Sequence, residues 1–129
     1  MLVSLRRLIY ISRVARQVRL ADADEIARGS VERNQQAGVT GLLLYTPSHF
    51  IQVLEGEPGA IAGTYFRIEK DARHTELRVI DDREVDAREF GAWAMTATLC
   101  AANSAQLEEL TADAALLLLR AGRAAVLVG

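Results

Sequence analysis

Cysteine is nearly absent from this 129-residue chain. Cys100 stands alone, so no internal disulfide can form, and a reducing cytoplasm suits the protein. The thiol reads as a small buried apolar side chain. Histidine is almost as scarce: His49 and His74 are the only two, and no Cys/His group has metal-ligating spacing. Nothing therefore points to a structural zinc or an iron–sulfur cluster. The glycines are scattered, with neither a P-loop nor a G-x-G-x-x-G run, which removes the common phosphate-cradling loops. No nucleophile elbow supports a Ser/His/Asp triad. Long apolar runs are missing too. The N-terminal MLVSLRRLIYIS is broken by Arg6 and Arg7, and the Ala/Leu stretch at 112–119 is far too short to span a bilayer. A net charge of −2 gives no electrostatic reason to expect a nucleic acid or an anionic membrane as partner.

What is present fits one soluble α+β domain of ordinary composition. Residues 6–12 alternate weakly and predict a strand with Leu8, Tyr10 and Ser12 on one face. A polar loop follows over 13–20. Asp22 or Asp24 can cap a helix that runs to about residue 37, where Gly38 supplies a left-handed stop. Residues 39–45 and 49–55 predict two strands joined through Thr46-Pro47-Ser48. Pro58 suits the first position of a second helix, running to about 71, with Ile61, Tyr65 and Ile68 as its apolar stripe. Residues 77–85 predict a fourth strand. Residues 92–99 predict a fifth, with Trp93, Met95 and Ala97 on one face. The Ala/Leu-rich remainder, 104–128, predicts one or two helices with a break at Gly122.

The order β-α-β-β-α-β plus a fifth strand is the ferredoxin-like pattern, an antiparallel sheet with two helices on one face. The C-terminal helices are expected on the other face, which would otherwise expose Ile9, Ile11, Ile51 and Val53. Residues 1–100 then form the main domain and 101–129 a helical cap or tail.

The informative anomaly is a set of polar residues on faces that point inward. Tyr10, Gln52, Ser30 and Asn34 share that fate, with Trp93 and Met95 close by if the fifth strand joins the sheet. A buried Gln must have its donors and acceptor satisfied, at a cost of about 1–3 kcal/mol otherwise. One account is a small internal hydrogen-bond network. The other is a slot for a flat ligand with one apolar edge and one edge of carbonyl and amide groups. Ile26, Ala27, Leu54, Ile61 and Ile68 would wall such a slot; Asn34 and Gln52 would rim it. These residues alone do not name the ligand.

Five segments in order, LRRLIYIS, SVERNQQAGVTGLLLY, HFIQVLEGE, YFRIEKDARH and REFGAWAM, resemble the BLUF family of blue-light sensors using FAD. The likeness covers residues 5–96, and FIQVLEG is its most specific piece. It implies a flavin held noncovalently between the two helices, as FAD, FMN or riboflavin after purification. It implies that Tyr10 and Gln52 are the light-switched pair, with Met95 and Trp93 beside them. Ser30 and Asn34 are implied at the ring, and Arg67, Asp71, Arg73 and His74 at the ribityl and phosphate part; Ile26, Phe50 and Leu54, on the inward faces, are expected to line the same site. One departure stands out: Arg33 occupies a position where many members carry a second Asn, and it either stays in solvent or reaches the ring edge.

The resemblance further implies a receptor and not an enzyme. The short C-terminal stretch leaves no room for a cyclase or phosphodiesterase, so the signal is expected to pass to an unknown downstream protein or to change self-association, a homodimer included. The competing reading is a flavin-free ferredoxin-like binding or dimerisation module, which would be colourless. A small flavoenzyme would require a substrate channel that nothing in the sequence indicates.

Overall fold

The computed structural model describes residues 4–128, with the side chain of Val128 left out, so Met1 to Val3 of the expected main domain and Gly129 of the tail lie outside the described residues. Strand β1 (Leu5–Val14) leads through a 3-10 turn (Leu20–Asp22) into α1 (Ala23–Ala37). Then come β2 (Thr40–Tyr45), β3 (His49–Gly56), α2 (Pro58–Glu69), β4 (His74–Val85), β5 (Ala97–Leu99), α3 (Ser104–Glu108) and α4 (Ala112–Val128). The sheet order is β4-β1-β3-β2-β5. The first three pairings are antiparallel, and β5 runs parallel to β2. This is the ferredoxin-like α+β fold expected from the element order.

Alternation divides the core in two. Leu8, Tyr10, Leu43, Phe50 and Leu54 meet Ala23, Ala27 and Ile61 under α1 and α2. On the opposite face Ile9, Ile11, Leu42, Leu44, Ile51 and Val53 meet Leu107, Leu110, Ala115 and Leu119 of the C-terminal helices. The expectation that these helices cover Ile9, Ile11, Ile51 and Val53 is met. Burial on both faces explains why β3 is inaccessible along its whole length.

Four local expectations change. Asp22 does occupy the N-cap position, but its backbone is helical and its side chain does not cap α1. It accepts from the Arg19 N–H instead (2.9 Å), because the chain enters the helix through a 3-10 turn and not from an extended residue. Helix α2 ends at Glu69, and β4 begins already at His74. Strand β5 is three residues long, so Trp93 and Met95 lie on an irregular segment ahead of it. That segment follows β2 through two bonds only, Gly41 N–H to the Trp93 carbonyl (3.1 Å) and Leu43 N–H to the Thr96 carbonyl (2.8 Å). A side chain, Asn34, takes the Ala94 carbonyl between them (2.7 Å). Finally, Gly122 breaks nothing. It sits inside α4, where an added Cβ would approach Leu44 Cδ2 to 2.5 Å, so its role is close packing of helix on sheet.

Gly41 is tighter still: a Cβ there would lie 2.0 Å from the Val53 carbonyl oxygen and 3.2 Å from Met95 Cε. Backbone cannot yield as a flexible side chain can. Gly41→Ala is expected to destabilise the domain by at least about 1–3 kcal/mol, the usual cost of overpacking, read as a lowered thermal midpoint. An unchanged midpoint would contradict this packing.

Candidate functional site

A cleft of about 720 Å³, counting its open mouth, lies between α1 and α2 above the sheet. The register of the sheet builds its floor, pairing Tyr10 with Gln52 across β1 and β3 and Leu43 with Gln52 across β2 and β3. All three side chains therefore rise from adjacent strands on the same face.

Tyr10 and Gln52 are both buried, 3% and 7% exposed. The Tyr10 hydroxyl donates to Gln52 Oε1 (2.5 Å). Gln52 Nε2 donates in turn to Met95 Sδ (3.1 Å). A thioether sulfur can only accept, and weakly. Met95 thereby orients the amide with its nitrogen toward sulfur and its oxygen toward Tyr10. The second Nε2 hydrogen has no partner among the described residues. The Tyr10 ring is held by edge contacts with Tyr65 and His74, each at 6.0 Å between centroids. Burial, and behind it the charges of Tyr65 and Asp71, push the Tyr10 hydroxyl far above the ordinary phenol range. Losing a proton alone is thus strongly disfavoured at this residue.

Asn34 is 2% exposed. One Nδ2 hydrogen is committed to the Ala94 carbonyl, which leaves Oδ1 and a second N–H for the cleft it lines. The Ser30 hydroxyl donates back to the Ala27 carbonyl (2.8 Å), so its oxygen is left as an acceptor. His74 is more constrained than the sequence indicates. Its Nε2 bonds the Ile68 carbonyl (2.6 Å) and its Nδ1 lies 3.0 Å from Ser12 Oγ. A carbonyl only accepts, so Nε2 carries a proton, and Nδ1 is taken up by the Ser12 hydroxyl. His74 consequently presents its ring to the cleft, with no spare N–H. At the mouth Arg73 grips Asp71 through both carboxylate oxygens, and this holds the Asp71 carboxyl below the usual range. Arg33 and Arg67 also line the mouth, and neither is paired with a carboxylate among the described residues.

Tyr10, Ile26, Ser30, Arg33, Asn34, Phe50, Gln52, Leu54, Arg67, Asp71, Arg73 and His74 all line this one cleft. Met95 reaches it only through Gln52. Trp93 and Ile61 are not among the lining residues. The strand expected to carry Trp93 begins only at Ala97, and Ile61 is sealed in the core under α2. Leu43 and Thr64 line the cleft unannounced. Thr64 continues the stripe of Ile61 and Ile68 at helical spacing and was findable that way. Leu43 was not, because its place depends on the register with Gln52.

The lining suits a flavin. It offers aliphatic walls, amide donors and acceptors at the inner end, and unpaired guanidinium groups at the mouth, where a phosphate would lie.

A family model described as "BLUF: Sensors of blue-light using FAD" matches residues 5–96. The chain belongs to this family, the sensors of blue light that bind a flavin. It is 35% identical over 94 residues to the photoactivated adenylate cyclase subunit beta of Euglena longa, covering 72% of this chain and 11% of that protein. It thus spans about a tenth of the length of the curated relatives it matches. Among solved structures, the dark state of the BLUF protein BlrB superposes with a TM-score of 0.80 at 31% identity, covering 98% of this chain and 99% of that one. A bacterial light-regulated adenylyl cyclase superposes with a TM-score of 0.71 at 29% identity, covering 96% of this chain and 35% of that one. Among the described residues, no helix is long and apolar enough to cross a membrane.

Proposed function

We propose that this chain senses blue light by switching the Gln52 amide between two hydrogen-bonded arrangements, and that it acts as a receptor and not as an enzyme. The observation that carries this reading is the chain Tyr10–Gln52–Met95 at the inner end of the cleft. The flavin, when bound, supplies the absorption of blue light and a transient acceptor for an electron and a proton. FAD is the form expected in the site; FMN or riboflavin could replace it after purification. Asn34 and Gln52 would hold its carbonyl and amide edge, Ile26, Phe50 and Leu54 its ring, and Arg33, Arg67 and Arg73 its phosphates.

Tyr10 holds the mobile proton at its hydroxyl. Burial blocks loss of that proton alone, so it leaves only together with an electron, and it returns the same way. Gln52 is the element with two states. In the arrangement observed, its oxygen faces Tyr10 and its nitrogen faces sulfur. Rotated, or tautomerised, it would present a different group to the ligand. The N–H···S bond that opposes this change is weak, so the two arrangements differ by only about a few kcal/mol. Residues 1–100 would form the sensor and 101–129 the cap that reports its state, in the cytoplasm, to a downstream protein or to a second copy of the chain.

The test is the visible spectrum of the purified protein in the dark and after blue light. A structured flavin band that shifts slightly to the red and recovers in the dark supports the reading. A protein that stays colourless after incubation with FAD would overturn it and leave a flavin-free binding module.

A further inference from the structure

Residues 86–96, between β4 and β5, are tied down at two places. At the far end the Ala94 carbonyl is held by Asn34 and the Met95 sulfur by Gln52. At the near end the Glu89 and Phe90 N–H groups donate to the fully buried Glu55 carboxylate (3.0 and 2.6 Å). Arg88 bonds the Gly38 and Glu55 carbonyls (2.7 and 2.9 Å). The Phe90 ring is buried against the α4-side core.

The Glu89 side chain faces the other way, toward α4. Its carboxylate accepts from Arg120 Nε (2.6 Å) and Nη2 (3.0 Å). Arg123 Nη1 lies 3.4 Å from the same carboxylate and donates to the Glu89 carbonyl (3.0 Å). Arg7, which also pairs with Glu55 (2.9 Å), completes the group at 3.5 Å. Among the described residues, every side-chain hydrogen bond and ion pair from α4 to another part of the domain ends on Glu89, and the Arg123 guanidinium also lies over the Phe90 ring, 5.6 Å from its centroid. The Arg120 bond is the main reason the Glu89 carboxyl sits below its usual range.

We propose that Glu89 is the joint through which a rearrangement at Gln52 reaches α4. This rests on the photoreceptor reading above. When the Gln52 amide turns, its N–H leaves the Met95 sulfur, and residues 93–96 lose one of their few attachments. Only residues 90–92 separate that stretch from Glu89. A shift there changes the alignment of the Glu89 carboxylate with Arg120 and Arg123, and so the hold on α4. Glu89 is a positioning residue in this scheme, since it does not line the flavin cleft.

The experiment uses the full flavin-loaded chain. Amide hydrogen exchange over 112–127 is measured in the dark and under continuous blue light, alongside the absorption spectrum. The natural protein is expected to differ between light and dark over α4. Glu89→Gln is expected to keep the red shift and its dark recovery while losing that difference. If Glu89→Gln does not fold, Arg120→Gln, on the exposed end of the same pair, is expected to show the same loss. A light–dark difference of natural size in a folded variant would overturn the inference. So would a natural protein that shifts red without any change over α4. A natural protein with flavin but no red shift fails earlier, and takes the photoreceptor reading with it.

Discussion

Tyr10→Phe is expected to retain flavin and to lose the light-induced red shift completely. The ring keeps its edge contacts with Tyr65 and His74, so the floor of the cleft keeps its shape. What disappears is one oxygen and its proton. Gln52 Oε1 loses its only donor among the described residues, a cost of about 1–3 kcal/mol if nothing replaces it, which should lower stability modestly without unfolding the domain. The photochemical loss is the larger effect, because no other phenol reaches Gln52. Tyr65 touches Tyr10 by its ring, and Tyr45 pairs with Phe50, two positions further along the sheet than Gln52. Absorption spectra before and after illumination decide the matter. A red shift of normal size in Tyr10→Phe would remove Tyr10 from the mechanism.

Glu55→Ala is expected to be among the most destabilising single changes in the protein. Its carboxylate is 0% exposed and takes the Arg7 guanidinium together with two backbone N–H groups. Truncation strands a nearly buried cation and two donors at once. Breaking one side of a buried pair costs about 3–5 kcal/mol, against a total stability of about 5–15 kcal/mol for a domain. The urea midpoint should fall accordingly, with little change in slope. Glu55→Gln, which still offers an oxygen to the backbone donors, should fall less. A loss below about 1 kcal/mol for the Ala variant would show that Arg7 and the 86–96 segment hold without it. Glu55 differs in this from the exposed pair Arg6–Asp82, which solvent screens.

The two positions are separated by strand parity. Gln52 and Glu55 lie on one strand, three residues apart, and so face opposite sides of the sheet. Gln52 meets the ligand cleft; Glu55 holds the segment that carries Glu89 to α4. Strand β3 therefore bears both the switch and the anchor of its proposed output.

How much of this was legible in advance follows from the kind of information each feature needs. Period-two alternation placed Tyr10 and Gln52 on an inward face, and helical spacing put Ser30 and Asn34 beside each other. Gly38, at φ 70°, ended α1 as a glycine at that position must. Those features depend on near neighbours in the chain. Motif content carried the family, and with it Tyr10, Ser30, Asn34, Gln52, Arg67, Asp71, Arg73 and His74, all of which line the cleft.

Other features lay beyond local reading. Residues 92–99 alternate as a strand would, yet only 97–99 pair, because a strand needs partners along its whole length and Asn34 takes one of the carbonyls. Nothing around Gly122 distinguishes a helix break from a close contact; Leu44, far away in the chain, decides it. The family segment that contains His74 gave no sign that Ser12 and Ile68 take both of its nitrogens. REFG was recognisable as a family segment, but the convergence of Arg7, Glu55, Arg120 and Arg123 on Glu89 and its neighbours joins β1, β3 and α4. The sequence by itself determined the element order, the inward faces and the chemistry gathered between the helices. The tertiary structure alone decided which polar atoms are already spoken for and which remain free, since hydrogen bonds between distant segments exist only once the chain has closed on itself.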